Sequence, residues 1–266
     1  MSFSAPSWQP RLVALDIDGT IVDLDGAMPE AVRKAVGMVL DADVPVVLAT
    51  GRSWHGTRPV FDELGLPPGP SVCSNGAVVV SYPPQQVHKA VTFDPREVIK
   101  KVVEFAPGTL IAVEEIGRGY RLNDHFPGGD LTGEMIIESI EQLSSRPVTR
   151  IILRDPSASE EDFTKLASHL GLKGVSYFVG WSAWLDIAPL GVNKASALQE
   201  VADDLGVDAA DVLAFGDGRN DIEMLHWAGR GVAVGDAPEE VQQVADVVTD
   251  TFADGGPVAE LLHWFD

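Results

Sequence analysis

Apolar residues fall into short continuous runs separated by stretches of helical periodicity. Leu12–Leu15 and residues 44–49 are unbroken apolar runs, the pattern of strands buried on both faces. Between them, Ala31, Val32, Ala35, Val36, Val39 and Leu40 form one helical face, with Pro29 where a first turn tolerates it. Residues 53–64 read as a second helix and 71–74 as a third strand. This β-α-β-α-β alternation predicts a parallel sheet with helices on both faces.

The middle of the chain has a different rhythm. Residues 77–82 and 87–93 read as strands joined by a turn at Pro83 and Pro84, which predicts antiparallel pairing. A helix over 95–105 follows, then strands over 110–114 and Gly119–Leu122. Strands over 149–153 and 175–179 flank a helix over Glu160–Leu170, so this part reads as a mostly antiparallel sheet with helices on one side. From Asn193 the βα alternation returns, with strands over 212–215 and 231–234 and a helix near Pro238. The expected architecture is α/β: a Rossmann-like parallel-sheet core, residues 1–81 and 189–266, with an inserted α+β domain, residues 82–188.

Composition narrows the class. A length of 266 residues with 45% hydrophobic content can bury a sizeable core. Nineteen basic against 40 acidic residues give a net charge of −21, which argues against nucleic acid or an anionic membrane surface as partner. A single cysteine, Cys73, permits no internal disulfide and no cysteine zinc site. It reads as a small buried strand residue. The start has no signal-peptide pattern, and the apolar runs fall far short of the roughly 20 residues that span a bilayer. A cytoplasmic protein is expected.

Two acidic clusters stand at predicted strand ends. Asp16-Ile17-Asp18-Gly19-Thr20 closes the first strand, where residues i and i+2 project to the same side and both carboxylates can enter one pocket. A calcium loop starting at Asp16 fails on spacing, because Ile21 and Ala27 stand where Gly and Glu are needed. Two such carboxylates repel unless neutralised, and oxygen-only ligation favours Mg²⁺. Gly216-Asp217-Gly218-Arg219-Asn220-Asp221 follows a later strand; Asp217 can complete a metal shell. Asn220 and Asp221 contact metal or substrate, or else cap the next helix. After the second strand, the Thr50 hydroxyl and the Gly51 amide can hold a phosphate oxygen, or form an ordinary turn with Arg52. Lys194 opens a helix capped by Asn193, where the helix dipole opposes a cation, so a role neutralising an anion gains weight.

In chain order, Asp16-Ile17-Asp18-Gly19-Thr20, Thr50-Gly51-Arg52, Lys194 and Gly216-Asp217-Gly218-Arg219-Asn220-Asp221 resemble the four ordered motifs of the haloacid dehalogenase superfamily, and the insertion resembles the type IIB cap of its Cof-like phosphatase branch. Ser74-Asn75-Gly76-Ala77, Gly191-Val192-Asn193-Lys194 and Ala237-Pro238-Glu239-Glu240-Val241 extend the resemblance over nearly the whole chain. Val234-Gly235-Asp236 departs from the branch's usual Met-Gly-Asn. The resemblance implies a Mg²⁺-dependent hydrolase of small phosphate monoesters, such as sugar phosphates. Asp16 would be the nucleophile and Asp18 the acid/base, its protonation favoured by close packing against Asp16. Asp16, the Asp18 carbonyl, Asp217 and Asp221 would hold the metal. Thr50, Gly51, Arg52, Asn75, Lys194 and Asn220 would bind phosphate or substrate. Monomer and homodimer are both compatible with the sequence.

Other residues invite plainer readings. Asn75-Gly76 is a hairpin-turn signal as well as a family site position. Trp181 and Trp184 read first as packing, and Arg118, Arg121 and His125 as solvated loop residues. A phosphomutase of the same superfamily and a non-catalytic phosphate sensor are the alternatives to a phosphatase; a sensor is disfavoured by the presence of both Asp16 and Asp18. A dinucleotide-binding oxidoreductase fails for want of Gly-x-Gly-x-x-Gly after the first strand.

Overall fold

The computed structural model describes residues 8–23, 25–170, 175–180 and 184–265. In chain order the strands and helices are β1 (Leu12–Leu15), α1 (Glu30–Asp41), β2 (Val46–Leu48), α2 (Trp54–Leu64), β3 (Gly69–Cys73), β4 (Val78–Tyr82) and β5 (Gln86–Ala90). They continue with α3 (Arg96–Phe105), β6 (Leu110–Glu115), β7 (Gly119–Leu122), β8 (Glu134–Ile137), α4 (Ile140–Leu143), β9 (Ile151–Arg154), α5 (Glu160–Leu170), β10 (Val175–Gly180) and β11 (Trp184–Pro189). The last are α6 (Lys194–Leu205), β12 (Val212–Gly216), α7 (Ile222–Trp227), β13 (Arg230–Ala233), α8 (Glu239–Gln242), β14 (Val247–Val248) and α9 (Gly256–Phe265).

The core is a parallel sheet of order β14-β13-β12-β1-β2. Its strands alternate between two apolar layers. Val13 and Leu15 face α1, α2 and α9, while Leu12 and Ala14 face α6 and α7. This is why β1 reads as a continuous apolar run. The chain winds away from β1 toward β2 on one side and from β12 toward β13 on the other, so the strand order reverses at the β1–β12 pair. In such sheets the ligand crevice lies there, beyond the carboxyl ends.

The third strand of the expected parallel sheet behaves differently. β3 lies beside the end of β2, joined to it by a parallel bridge of Ala49 to Val72 and by the Thr50 amide donating to the Val72 carbonyl at 2.9 Å, but its ladder is antiparallel with β4 in a separate sheet, β3-β4-β5. The second sheet has order β10-β11-β9-β6-β7-β8 and is antiparallel except for β7 with β8. Ile111, Val113, Ile151, Leu153, Leu185 and Ile187 pack on one of its faces against α3 and α5. Ala112, Tyr120, Leu122 and Ile152 occupy the other face. This is the mixed α/β fold with a cap that the pattern predicted. No helix among the described residues is long and apolar enough to cross a membrane.

Candidate active site

Strand register brings the two acidic clusters side by side. Leu15 lies opposite Phe215, and the Asp16 amide donates to the Phe215 carbonyl at 3.0 Å, so Asp16 enters the crevice beside the turn after β12. One carboxylate oxygen from each of Asp16, Asp217 and Asp221 lies within 4.8 Å of the others. Lys194, fully buried at the start of α6, donates from Nζ to Asp16 Oδ1 at 2.5 Å and to Asp221 Oδ1 at 2.6 Å. The helix start is held by a reciprocal cap, in which Asn193 accepts from the Ser196 amide and Ser196 answers to the Asn193 amide. The cation therefore sits at the positive end of a helix because the two carboxylates oppose it.

Asp221 stands at the junction of a short 3-10 turn, Arg219–Asp221, with α7; its Oδ2 accepts from the amides of Asp217 and Gly218 at 3.2 and 2.9 Å, a capping contact at the start of that turn, while its Oδ1 faces Lys194. Gly19 serves close approach: at φ +78°, a Cβ there would stand 2.4 Å from Asp217 Oδ2. Thr20, not singled out among the site residues from sequence, donates to Asp217 Oδ1 at 3.0 Å and approaches Asp16 Oδ2 at 3.5 Å. Its place four residues after Asp16 was the available signal.

Three carboxylates against one ammonium leave a formal −2 in a mostly buried space. Burial first, and Asp221 next, hold the Asp16 carboxyl well above the usual range despite Lys194. Burial and Asp221 likewise push Asp217 up to about 7. For Lys194, burial lowers the pKa, but Asp16 and Asp221 outweigh it and hold the ammonium charged. A hard divalent cation fits this set, since it takes oxygen ligands and supplies the missing charge.

Of the two carboxylates in the first cluster, Asp16 alone enters the buried group. The strand ends at Leu15, so alternation no longer fixes Asp18; its half-exposed carboxylate is clasped by Arg52, with Nε to Oδ2 at 2.9 Å and Nη2 on Oδ1. The expected close packing of Asp18 on Asp16 is thus replaced by an ion pair. Thr50 is fully buried, and its Oγ1 accepts from the Arg52 amide at 3.1 Å, which leaves the hydroxyl proton to donate.

Asn75 is both a turn residue and a site neighbour. Ser74 and Asn75 each have φ 52°, a left-handed conformation uncommon for such residues, in the corner between β3 and β4. The corner aims Asn75 Oδ1 at Asn220 Nδ2, 2.9 Å away, and toward Gly51. It also aims Ser74 Oγ at Glu114 of the second sheet, at 2.6 Å.

Elsewhere the readings divide. Cys73 is buried, and burial pushes its thiol up to about 12. Trp184 packs edge-on against Phe126, while Trp181 lies outside the described residues. His125 is exposed, and Arg118 reaches Glu134 at the surface. Arg121 corrects the solvated-loop expectation. It is buried on β7, opposite Val113 and therefore on the helix-covered face, paired with Glu115 and Glu138.

The family model for haloacid dehalogenase-like hydrolases matches residues 13–262. The chain is 28% identical over 271 residues to the 5-amino-6-(5-phospho-D-ribitylamino)uracil phosphatase YitU of Bacillus subtilis, covering 97% of this chain and 98% of that one. It is 32% identical over 243 residues to the phosphoglycolate phosphatase of Aeropyrum pernix, covering 90% and 86%. A solved subclass IIB sugar phosphatase shares the fold at TM-score 0.81 and 22% identity, over 96% of this chain and 98% of that chain. The chain belongs to the haloacid dehalogenase-like hydrolases and is a phosphatase of that family.

Proposed function

We propose that the protein is a Mg²⁺-dependent phosphatase of small phosphate monoesters, sugar phosphates or similar metabolites, working through an aspartyl-phosphate on Asp16. The observation that carries this reading is the convergence of Asp16, Asp217 and Asp221 at the reversal of strand order, with Lys194 paired to the first and last of them. The relatives' names, a ribityl phosphate and a two-carbon acid phosphate, support a small metabolite as substrate.

Asp16 attacks phosphorus while the ester P–O bond breaks, and Asp18 delivers a proton to the leaving oxygen. Asp18 then takes a proton from water, whose oxygen attacks phosphorus and returns Asp16 as carboxylate. To reach the leaving group, Asp18 must part from Arg52, which is freed to add positive field near the phosphate. The Thr50 hydroxyl, the Gly51 amide and Lys194 hold the non-bridging oxygens, and Asn75 and Asn220 orient the substrate. Asp16, Asp217, Asp221 and the Asp18 carbonyl would hold Mg²⁺, which when bound supplies charge neutralisation at the phosphoryl group. With a net charge of −21, this local positive field is what admits an anion. The reading keeps a core of residues 1–81 and 189–266 and a cap of 82–188, and a cytoplasmic monomer or homodimer with neither nucleic acid nor membrane as partner.

The test is phosphate release from a panel of monoesters, with and without Mg²⁺, by wild type and Asp16→Asn. Release should require both the metal and Asp16. A folded, metal-binding protein that releases phosphate from no ester would point to the mutase or the sensor.

A further inference from the structure

The cap face opposite α3 and α5 carries a buried polar cluster directly above the phosphate loop. Strand alternation puts Glu114 with Ala112, Arg150 with Ile152, Tyr120 opposite Glu114, and Asp186 opposite Ile152 on this one face. All four polar residues are buried. Arg150 reaches into the core, donating from Nη1 to the Gly51 carbonyl and from Nη2 to the Tyr120 hydroxyl. Glu114 Oε2 is satisfied by Ser74 Oγ at 2.6 Å and Thr149 Oγ1 at 3.3 Å.

Asp186 is incompletely satisfied. The Trp184 side chain bonds its carboxyl, but Oδ1 stands 3.7 Å from Arg150 Nη1 and accepts no hydrogen bond among the described residues. Arg150 Nε, 3.6 Å from Glu114 Oε2, also donates to nothing there. Two carboxylates against one guanidinium leave the cluster at a formal −1, shielded from water. An orphaned buried acceptor and donor demand an explanation, and a ligand that completes both is one. The place agrees. Asp186 is two contacts from the Gly51 carbonyl, next to Thr50, and in-line attack by Asp16 sends the organic part of the ester away from Asp16, toward the cap.

We propose that Asp186, steadied by Arg150, is a specificity residue of this site and selects phosphate monoesters whose organic part offers hydroxyl or amine donors and bears no second anionic group. This rests on the phosphatase reading and narrows it. A hydroxyl both donates and accepts, so it can answer Asp186 Oδ1 and Arg150 Nε together. A carboxylate or second phosphate brings no donor and meets net negative charge out of water.

The test uses two substrate pairs matched in length, sorbitol 6-phosphate with 6-phosphogluconate and glycerol 3-phosphate with 3-phosphoglycerate, on the Mg²⁺-loaded protein, with 4-nitrophenyl phosphate as a ligand-neutral reference. Wild type should favour the polyol member of each pair at least tenfold in kcat/KM, chiefly through KM. Asp186→Asn, or Asp186→Ser if the amide variant does not fold, should bring both ratios to within about threefold of unity. Wild-type ratios near unity or reversed overturn the inference even though hydrolysis proceeds, and this arm needs no variant. A folded variant that keeps the wild-type ratios removes Asp186 from the selection and overturns it too. Hydrolysis of no ester, 4-nitrophenyl phosphate included, is a different result: it sinks the phosphatase reading itself, and the inference falls with it.

Discussion

Replacing Asp217 by Asn is expected to stabilise the metal-stripped protein at about pH 8. Asp217 shares its space with Asp16 and Asp221, and burial together with Asp221 pushes its carboxyl up to about 7 from an ordinary 3.8. The folded chain therefore holds this proton more tightly than the unfolded chain. Stability is gained as pH falls through about 7 toward 3.8, and above that window the ionised carboxylate costs the fold its full penalty. At about 1.4 kcal/mol per pH unit, the rise from 3.8 to about 7 amounts to about 4 kcal/mol, a ceiling because Asp16 competes for the same proton. Asn keeps an oxygen for the Thr20 hydroxyl and removes the charge. Urea unfolding of EDTA-treated protein reads the difference. At about pH 8 the variant should be more stable by about 2–4 kcal/mol, and near pH 5 the gap should shrink. Millimolar Mg²⁺ at pH 8 should stabilise wild type by mass action and the variant much less. An Asp217→Asn protein less stable than wild type in EDTA at pH 8, or one with an undiminished Mg²⁺ response, would refute the reasoning.

Lys194→Met strands two buried carboxylates and should cost about 3–5 kcal/mol in metal-free unfolding, together with most of the activity; an unchanged urea midpoint would remove Lys194 as their counter-ion. Asp18→Asn should slow hydrolysis of alkyl phosphates far more than that of activated aryl phosphates, whose leaving groups need no proton. Equal losses on both, measured as kcat/KM, would assign Asp18 a structural role. Ser74→Ala removes the 2.6 Å hydrogen bond to buried Glu114 that ties the β3–β4 corner to the cap. Cap closure should weaken by about 1–3 kcal/mol, seen as a higher KM with kcat little changed, and unchanged kinetics would mean that this bond does not hold the cap.

Much of the site was legible because its chemistry sits at strand ends, where local pattern is strongest. The apolar run Leu12–Leu15 located Asp16, the strand at β12 located Asp217, and Asn193 announced the helix that begins at Lys194. The parallel pairing of β7 with the short strand β8 was not legible, since β8 is exposed throughout and carries no buried face to betray it. Helix α9, which completes the layer over α1, was also missed, behind a Gly-Gly-Pro that reads as a loop.

What the sequence determined by itself was the period of each segment and the order of the motifs, because helix and strand periodicity depend on near neighbours. Tertiary structure decided which of several plausible partners each polar group took. Asp18 turned to Arg52 rather than to Asp16, Asp221 reached Lys194 as well as the amides at its own helical turn, and Arg121 entered a buried ion pair rather than solvent. Asp186 of β11, Glu114 of β6 and Arg150, just ahead of β9, met with no local signal at all. Each choice turns on burial and on charge across long sequence separations, and those exist only once the sheets are packed and water is excluded.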